Sequence, residues 1–170
     1  MDLFDIRGGT MNLASTALTG LSGSAKTVST TSTPAYMLNG VIKASTNQSG
    51  GATPTTDIAT GAAFVALTGA TAALGEGCVF VFGWDSSAPT VFSVAQGPVV
   101  KTQDVVNGAA VYAFPTIPDT FCPTDYVTIN YVGSTSWTFG TDNWDASTVS
   151  IGTVIHIGLL PTRPLTAVTA

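Results

Sequence analysis

His156 is the chain's single histidine, and histidine is the side chain best suited to moving a proton near neutral pH. It lies in residues 149–157, where Val149, Ile151, Ile155 and Ile157 share one face of a strand pattern. That alternation turns His156 toward the surface or an interface. A Ser-His-Asp triad through it would need a presented nucleophile, and the chain has no G-x-S-x-G elbow. Gly20-Leu21-Ser22-Gly23-Ser24-Ala25-Lys26-Thr27 approximates a phosphate loop. Its spacing is short, with Ala25 ahead of Lys26, and it sits in low-complexity sequence instead of between a strand and a helix. The densest carboxylate run is Asp142-Asn143-Trp144-Asp145. Such oxygens suit calcium, but the run lacks the EF-hand spacing and glycine, and it reads better as an Asx-type turn. No catalytic residue, cofactor site or metal site is expected.

The remaining chemical candidates are aromatic and sulfur side chains. Trp137, Phe139 and Trp144 fall close together. Exposed, they would make a platform for a sugar or a partner; buried, they would close the core. Cys78 sits in the apolar run Cys78-Val79-Phe80-Val81-Phe82, where a free thiol behaves as a small hydrophobe. Cys122 precedes Pro123, and a disulfide between the two cysteines would require their Cα atoms to lie within about 7 Å.

The 170 residues carry five Lys plus Arg and ten Asp plus Glu, so only 9% are charged against 45% hydrophobic. An ordinary domain is about 25% charged. Five basic residues cannot neutralise many phosphates, which argues against nucleic-acid binding. One Glu and three Lys leave little with which to cover helix surfaces. The apolar fraction is enough for a core, which argues against disorder. Met1-Asp2-Leu3-Phe4-Asp5-Ile6-Arg7 has two acids before its first base, unlike a signal-peptide start. Residues 58–75 are uncharged. Their glycines and threonines, and the lack of flanking Lys or Arg, predict buried strands joined by a turn and no membrane span.

These residues must be positioned by strands. Residues 1–34 are rich in Ser, Thr, Ala and Gly and read as an extended N-terminal arm, with Leu3, Phe4, Ile6 and Met11 as its apolar contacts to a neighbour. Residues 35–170 read as the body. Asn39-Gly40 between Ala35-Tyr36-Met37-Leu38 and Val41-Ile42-Lys43-Ala44 predicts a type I′ hairpin. Asn107-Gly108 predicts a second turn, followed by a strand over residues 109–114. Residues 78–84 are apolar on both faces, as in a central strand. Val127, Ile129 and Tyr131 alternate with Tyr126, Thr128 and Asn130. Short strands punctuated by Gly, Pro and Asn predict an all-β fold, a single β-sandwich domain of jelly-roll or immunoglobulin-like type.

Ordered pieces of the body resemble tailed-bacteriophage virion proteins. They are Leu38-Asn39-Gly40-Val41, Val81-Phe82-Gly83-Trp84-Asp85-Ser86-Ser87, Val94-Ala95-Gln96-Gly97 and Phe114-Pro115-Thr116-Ile117-Pro118-Asp119. They continue through Tyr126-Val127-Thr128-Ile129 and Trp137-Thr138-Phe139-Gly140-Thr141-Asp142-Asn143-Trp144 to Leu160-Pro161-Thr162-Arg163-Pro164. The resemblance is to capsid decoration, or cement, proteins. It implies a structural, non-enzymatic role on the outer surface of a capsid, with synthesis in the host cytoplasm. The major capsid protein would be the partner, and the chain would form a dimer or trimer without nucleic acid or membrane. The alternative is a tail or head-fibre protein or adhesin that binds host glycans through the aromatic patch. The resemblance assigns no functional residue, and the arm falls outside it.

Overall fold

A computed structural model describes residues 10–157 apart from 14–17, 20, 22–25, 70–73, 87–91 and 147. In chain order the strands are β1 (Met11–Asn12), β2 (Leu18–Thr19), β3 (Thr27–Thr30), β4 (Ala35–Leu38), β5 (Val41–Ala44), β6 (Gly51–Ala52) and β7 (Leu67–Thr68). They continue with β8 (Glu76–Asp85), β9 (Phe92–Gln96) and β10 (Val100–Lys101), then helix α1 (Thr102–Val106). Last come β11 (Phe121–Tyr131), β12 (Ser136–Trp137), β13 (Val149–Ile151) and β14 (Ile155–His156). The fold is all-β, built from several antiparallel sheets.

The main sheet runs β10-β8-β11-β13, with β9 also on β8 and β14 also on β11. β8 lies at its centre, and nine of its ten residues are buried. Its alternate side chains serve two cores, as its two-sided apolar pattern predicts. Cys78, Phe80, Phe82 and Trp84 join Tyr36, Leu38, Leu67, Val127, Ile129 and Trp137 on one face. Val79 and Val81 join Val105, Tyr112, Phe121 and Ile157 on the other. β11 also alternates as expected: Val127, Ile129 and Tyr131 are buried, while Tyr126, Thr128 and Asn130 are partly exposed.

Pro123 sits inside β11, where it cannot donate a ladder hydrogen bond. The sheet accommodates it with a shift of register against β8 between Pro123 and Asp125, leaving Thr124 as an extra residue. This β-bulge bends the strand and re-aims the side chains beside it.

The predicted hairpin is present. β4 and β5 pair from Leu38↔Val41 to Ala35↔Ala44, and Asn39 and Gly40 have φ of 51° and 78°, the two positive values of a type I′ turn. Asn107-Gly108 has a different use. Asn107 is the helical C-cap of α1 and Gly108 has φ 73°. Gly108 N–H donates to the Val105 carbonyl and Ala109 N–H to that of Asp104, at 3.1 and 2.8 Å. These two bonds define a Schellman helix end, which demands the same left-handed glycine as a hairpin. Residues 109–114 then contribute buried Tyr112 instead of a strand.

Within residues 1–34, the described part is joined to the body by backbone pairing. β1 pairs with β4, with Met11 opposite Met37, and β3 pairs with β6. Val28 is fully buried and Leu18 nearly so, so both contribute to the aromatic core. Leu3, Phe4 and Ile6 lie outside the described residues. Met11 is half-buried in the β1 ladder.

Candidate functional site

The bulge on β11 positions the first candidate site. Beyond it, Asp125 stands opposite His156 of β14. Asp125 is only 2% exposed, and its carboxylate contacts His156 Nδ1 directly. The Thr124 hydroxyl donates to its other oxygen at 2.7 Å. His156 is partly exposed, which agrees with the outward face expected for it. Ile157 beyond it is buried, but Ile155 is 40% exposed. The face expected to unite Ile151, Ile155 and Ile157 is broken twice: residues 152–154 separate β13 from β14, and Ile157 lies past the end of β14.

Burial is the largest influence on Asp125 and pushes its carboxyl above the usual range; the Thr124 hydroxyl and His156 oppose that rise. The pair holds the imidazole by one nitrogen, as the acid of a triad does. Among the described residues, no hydroxyl or thiol hydrogen-bonds its other nitrogen. The His156–Asp125 contact ties β14 to the bulge, assisted by the Ile157 N–H donating to the Thr124 carbonyl at 2.8 Å, and so acts as a clamp.

This clamp has a definite pH signature. A carboxyl raised in the fold binds its proton more tightly than in the unfolded chain, where it titrates near 3.9. Its stabilising contribution is complete below about pH 4 and is lost as pH rises through the raised native value. Removing the imidazole raises that carboxyl further. His156→Ala should thus cost about 1–2 kcal/mol at pH 7, a modest figure because His156 is part-solvated, and less at pH 4. Urea unfolding at the two pH values checks this, and the loss should shrink in an Asp125→Asn background. An equal loss at both pH values would contradict the clamp.

Of the two readings left open for the aromatic patch, the structure shows the buried one. Trp137, Phe139 and Trp144 are 1%, 1% and 4% exposed. β12 pairs with β7 and carries Trp137 inward. Phe139 stacks on Phe80 with centroids 4.7 Å apart, and Trp144 lies edge-on to Phe139 at 5.4 Å. Trp137 Nε1 donates to the Asn143 carbonyl at 3.0 Å, which draws the loop over the ring. Burying this large apolar area outweighs exposing it. The patch offers no sugar platform.

The neighbouring acidic run behaves as a turn. Asp142 accepts the Thr138 N–H at 2.7 Å, a local carboxylate-to-backbone bond. Among the described residues no three His, Cys, Asp or Glu side chains gather around a possible metal position. Cys78 and Cys122 are both buried, and no disulfide joins them. Burial pushes the Cys78 thiol up to about 12, so it is a poor nucleophile.

Sequence reasoning missed one buried polar network. Asp57 accepts the Ala59 N–H at 2.9 Å, the Thr60 hydroxyl at 3.1 Å and the Gln96 N–H at 3.2 Å. The Gln96 side chain in turn bonds both backbone groups of Val65, at 2.7 and 2.8 Å, and the Cys78 thiol at 3.4 Å. The network borders an open groove of about 420 Å³ that includes Val99 and Phe114. Its polar groups are occupied with one another, so it braces loop against sheet. Gln96 is polar at a strand end, which was the only signal in the sequence.

The second candidate site is an edge. β5 ends its three-stranded sheet, and among the described residues no strand pairs with its outer side. Val41 and Ile42 are 58% and 73% exposed. Open strands with exposed apolar side chains invite pairing with another chain.

Comparison with known proteins adds no relative: no family model, no curated protein and no solved structure matches this chain.

Proposed function

We propose that this chain is a structural component of a tailed-bacteriophage particle, a decoration protein that binds the outer surface of the assembled capsid and stabilises it without catalysing a reaction. The observation that carries the reading is the open β5 edge with exposed Val41 and Ile42, on a chain with only 9% charged residues. A surface with so little charge has weak protection against association. Many equivalent sites on a shell make modest individual contacts effective, and binding only the assembled form stabilises it by mass action. The ordered resemblance to virion proteins supports the same reading.

We read the body as one β-sandwich. The main sheet forms one layer, and β1-β4-β5 with β12-β7 packs across its aromatic face; Tyr36, Leu38 and Trp137 share that core with Phe80, Phe82 and Trp84. The partner is the major capsid protein, and the chain acts as a small homo-oligomer on the particle.

Co-sedimentation of purified chain with assembled heads that lack it tests the reading. The chain should pellet with mature heads and raise the temperature at which they release their genome. Removal of residues 1–9 should reduce occupancy while leaving the body folded. A cut at residue 33 would instead remove Leu18 and Val28 from the core. Wild-type chain that stays wholly in the supernatant would sink the proposal.

A further inference from the structure

We infer that the open edge of β5 receives the Phe4-Asp5-Ile6-Arg7 segment of a second copy of this chain, as an added antiparallel strand. This assigns the open edge to contact between copies of the chain, and it rests on the same edge that supports the capsid reading above.

The hairpin geometry fixes which groups β5 offers. In a two-residue type I′ hairpin the residues flanking the turn, here Leu38 and Val41, bond each other. Ile42 and Ala44 therefore direct their backbone N–H and C=O outward, on the side with no described partner. Ile42 is also the most exposed large apolar side chain described, at 73%, and Lys43 between them is the strand's one charge.

One register matches this edge. Asp5 opposite Lys43 sets Ile6 opposite Ile42 and Phe4 opposite Ala44, giving one opposite-charge pair and two apolar pairs, each of a kind that stabilises an antiparallel ladder. Sliding the segment two residues one way brings Arg7 against Lys43; sliding it the other way brings Leu3 against Lys43 and Asp5 against Val41. A shift of one residue sets Asp5 against Ile42 or Ala44. Two β5 strands paired with Ile42 opposite Ala44 would place Lys43 against Lys43.

Chain length decides between the protein's own segment and a second copy's. Residues 1–9 lie outside the described residues, and they join the fold at Thr10. Thr10 Oγ1 accepts the Asn39 N–H at 3.1 Å, and the register Met11↔Met37 sets Thr10 level with Leu38 and Val41. In the matching register Arg7 would stand beyond Val41, about 14 Å from Thr10 across three strand spacings. Three Cα–Cα steps from Arg7 to Thr10 reach at most about 11 Å. The chain cannot supply this strand to itself in that register, so a neighbour must. Strand addition of this kind takes its affinity from main-chain bonds and its register from side chains.

The test uses the purified full-length chain with no capsid present, so its result is separate from that of capsid binding. Wild type should be a dimer or closed ring by sedimentation equilibrium. Lys43→Glu should weaken self-association roughly tenfold, as an attractive cross-strand pair becomes repulsive; Asp5→Lys together with Lys43→Glu should restore it. Mixing Ile6→Cys chains with Ile42→Cys chains under oxidation should give a disulfide-linked heterodimer, since a hydrogen-bonded antiparallel pair sets Cα atoms about 5.5 Å apart. A monomeric wild type would overturn the inference. So would association that persists after removal of residues 1–9, or a charge swap that fails to rescue.

Discussion

Replacing Phe139 by alanine should lower the folding free energy by about 3–5 kcal/mol, the range for removing a buried aromatic ring. Phe139 is 1% exposed and meets five other rings. Phe64 and Phe80 lie 4.7 Å away, Trp144 5.4 Å, Phe82 5.8 Å and Trp137 6.4 Å, centroid to centroid. These neighbours come from β8, β12 and two loops, so they cannot all close on the space left behind, and the cavity term stays large. Urea unfolding checks the figure, with Phe139→Leu expected to lose less because it keeps more of the volume. A loss under 1 kcal/mol by that rule would mean that the loop carrying Trp144 collapses into the gap.

Gly83→Ala should cost about 3 kcal/mol through the opposite fault, too much volume. Gly83 faces Pro123 across the β8–β11 ladder, next to the bulge. A Cβ there would run into the Cys122 carbonyl oxygen and lie 2.7 Å from Phe121 Cζ. The carbonyl is backbone and cannot rotate away, so the two central strands must separate at the point where Pro123 already withholds a bond. For a chain of this size the thermal midpoint should fall by roughly 6–12 °C. Scanning calorimetry of the variant checks this; a midpoint within 2 °C, on the same scale, would show that the bulge absorbs the methyl group.

The sequence made β8 and β11 readable because each is long enough to display its period. The apolar run on both sides of β8 announced a strand buried on both faces, and Val127, Ile129 and Tyr131 marked the buried side of β11. The Asn39-Gly40 hairpin was readable because two positive φ values in a row leave few other residue choices. The same dipeptide misled at Asn107-Gly108, since a helix end and a hairpin both need a left-handed glycine, and α1 at five residues is too short to show a helical period. The aromatic patch was ambiguous for a related reason. Trp137, Phe139 and Trp144 sit at the end of a short strand and in the loop after it, where alternation cannot assign a face. Their burial is decided by Phe80 and Phe82, which are distant in sequence. Asp125 stayed hidden because aspartate usually marks a turn; only the bulge at Pro123 sets it into the sheet opposite His156.

The β8–β11 ladder also orders events in time. Phe121 pairs with Asp85 and Tyr131 with Glu76, so the ladder closes only after the long intervening stretch with β9, β10 and α1 has been made. Loop closure of that length must precede any gain from the pairing. While the chain is being synthesised, the largely apolar β8 therefore waits with one flank open until β11 emerges from the ribosome. Slower synthesis through residues 86–131 lengthens the interval in which that apolar flank stands open to wrong partners.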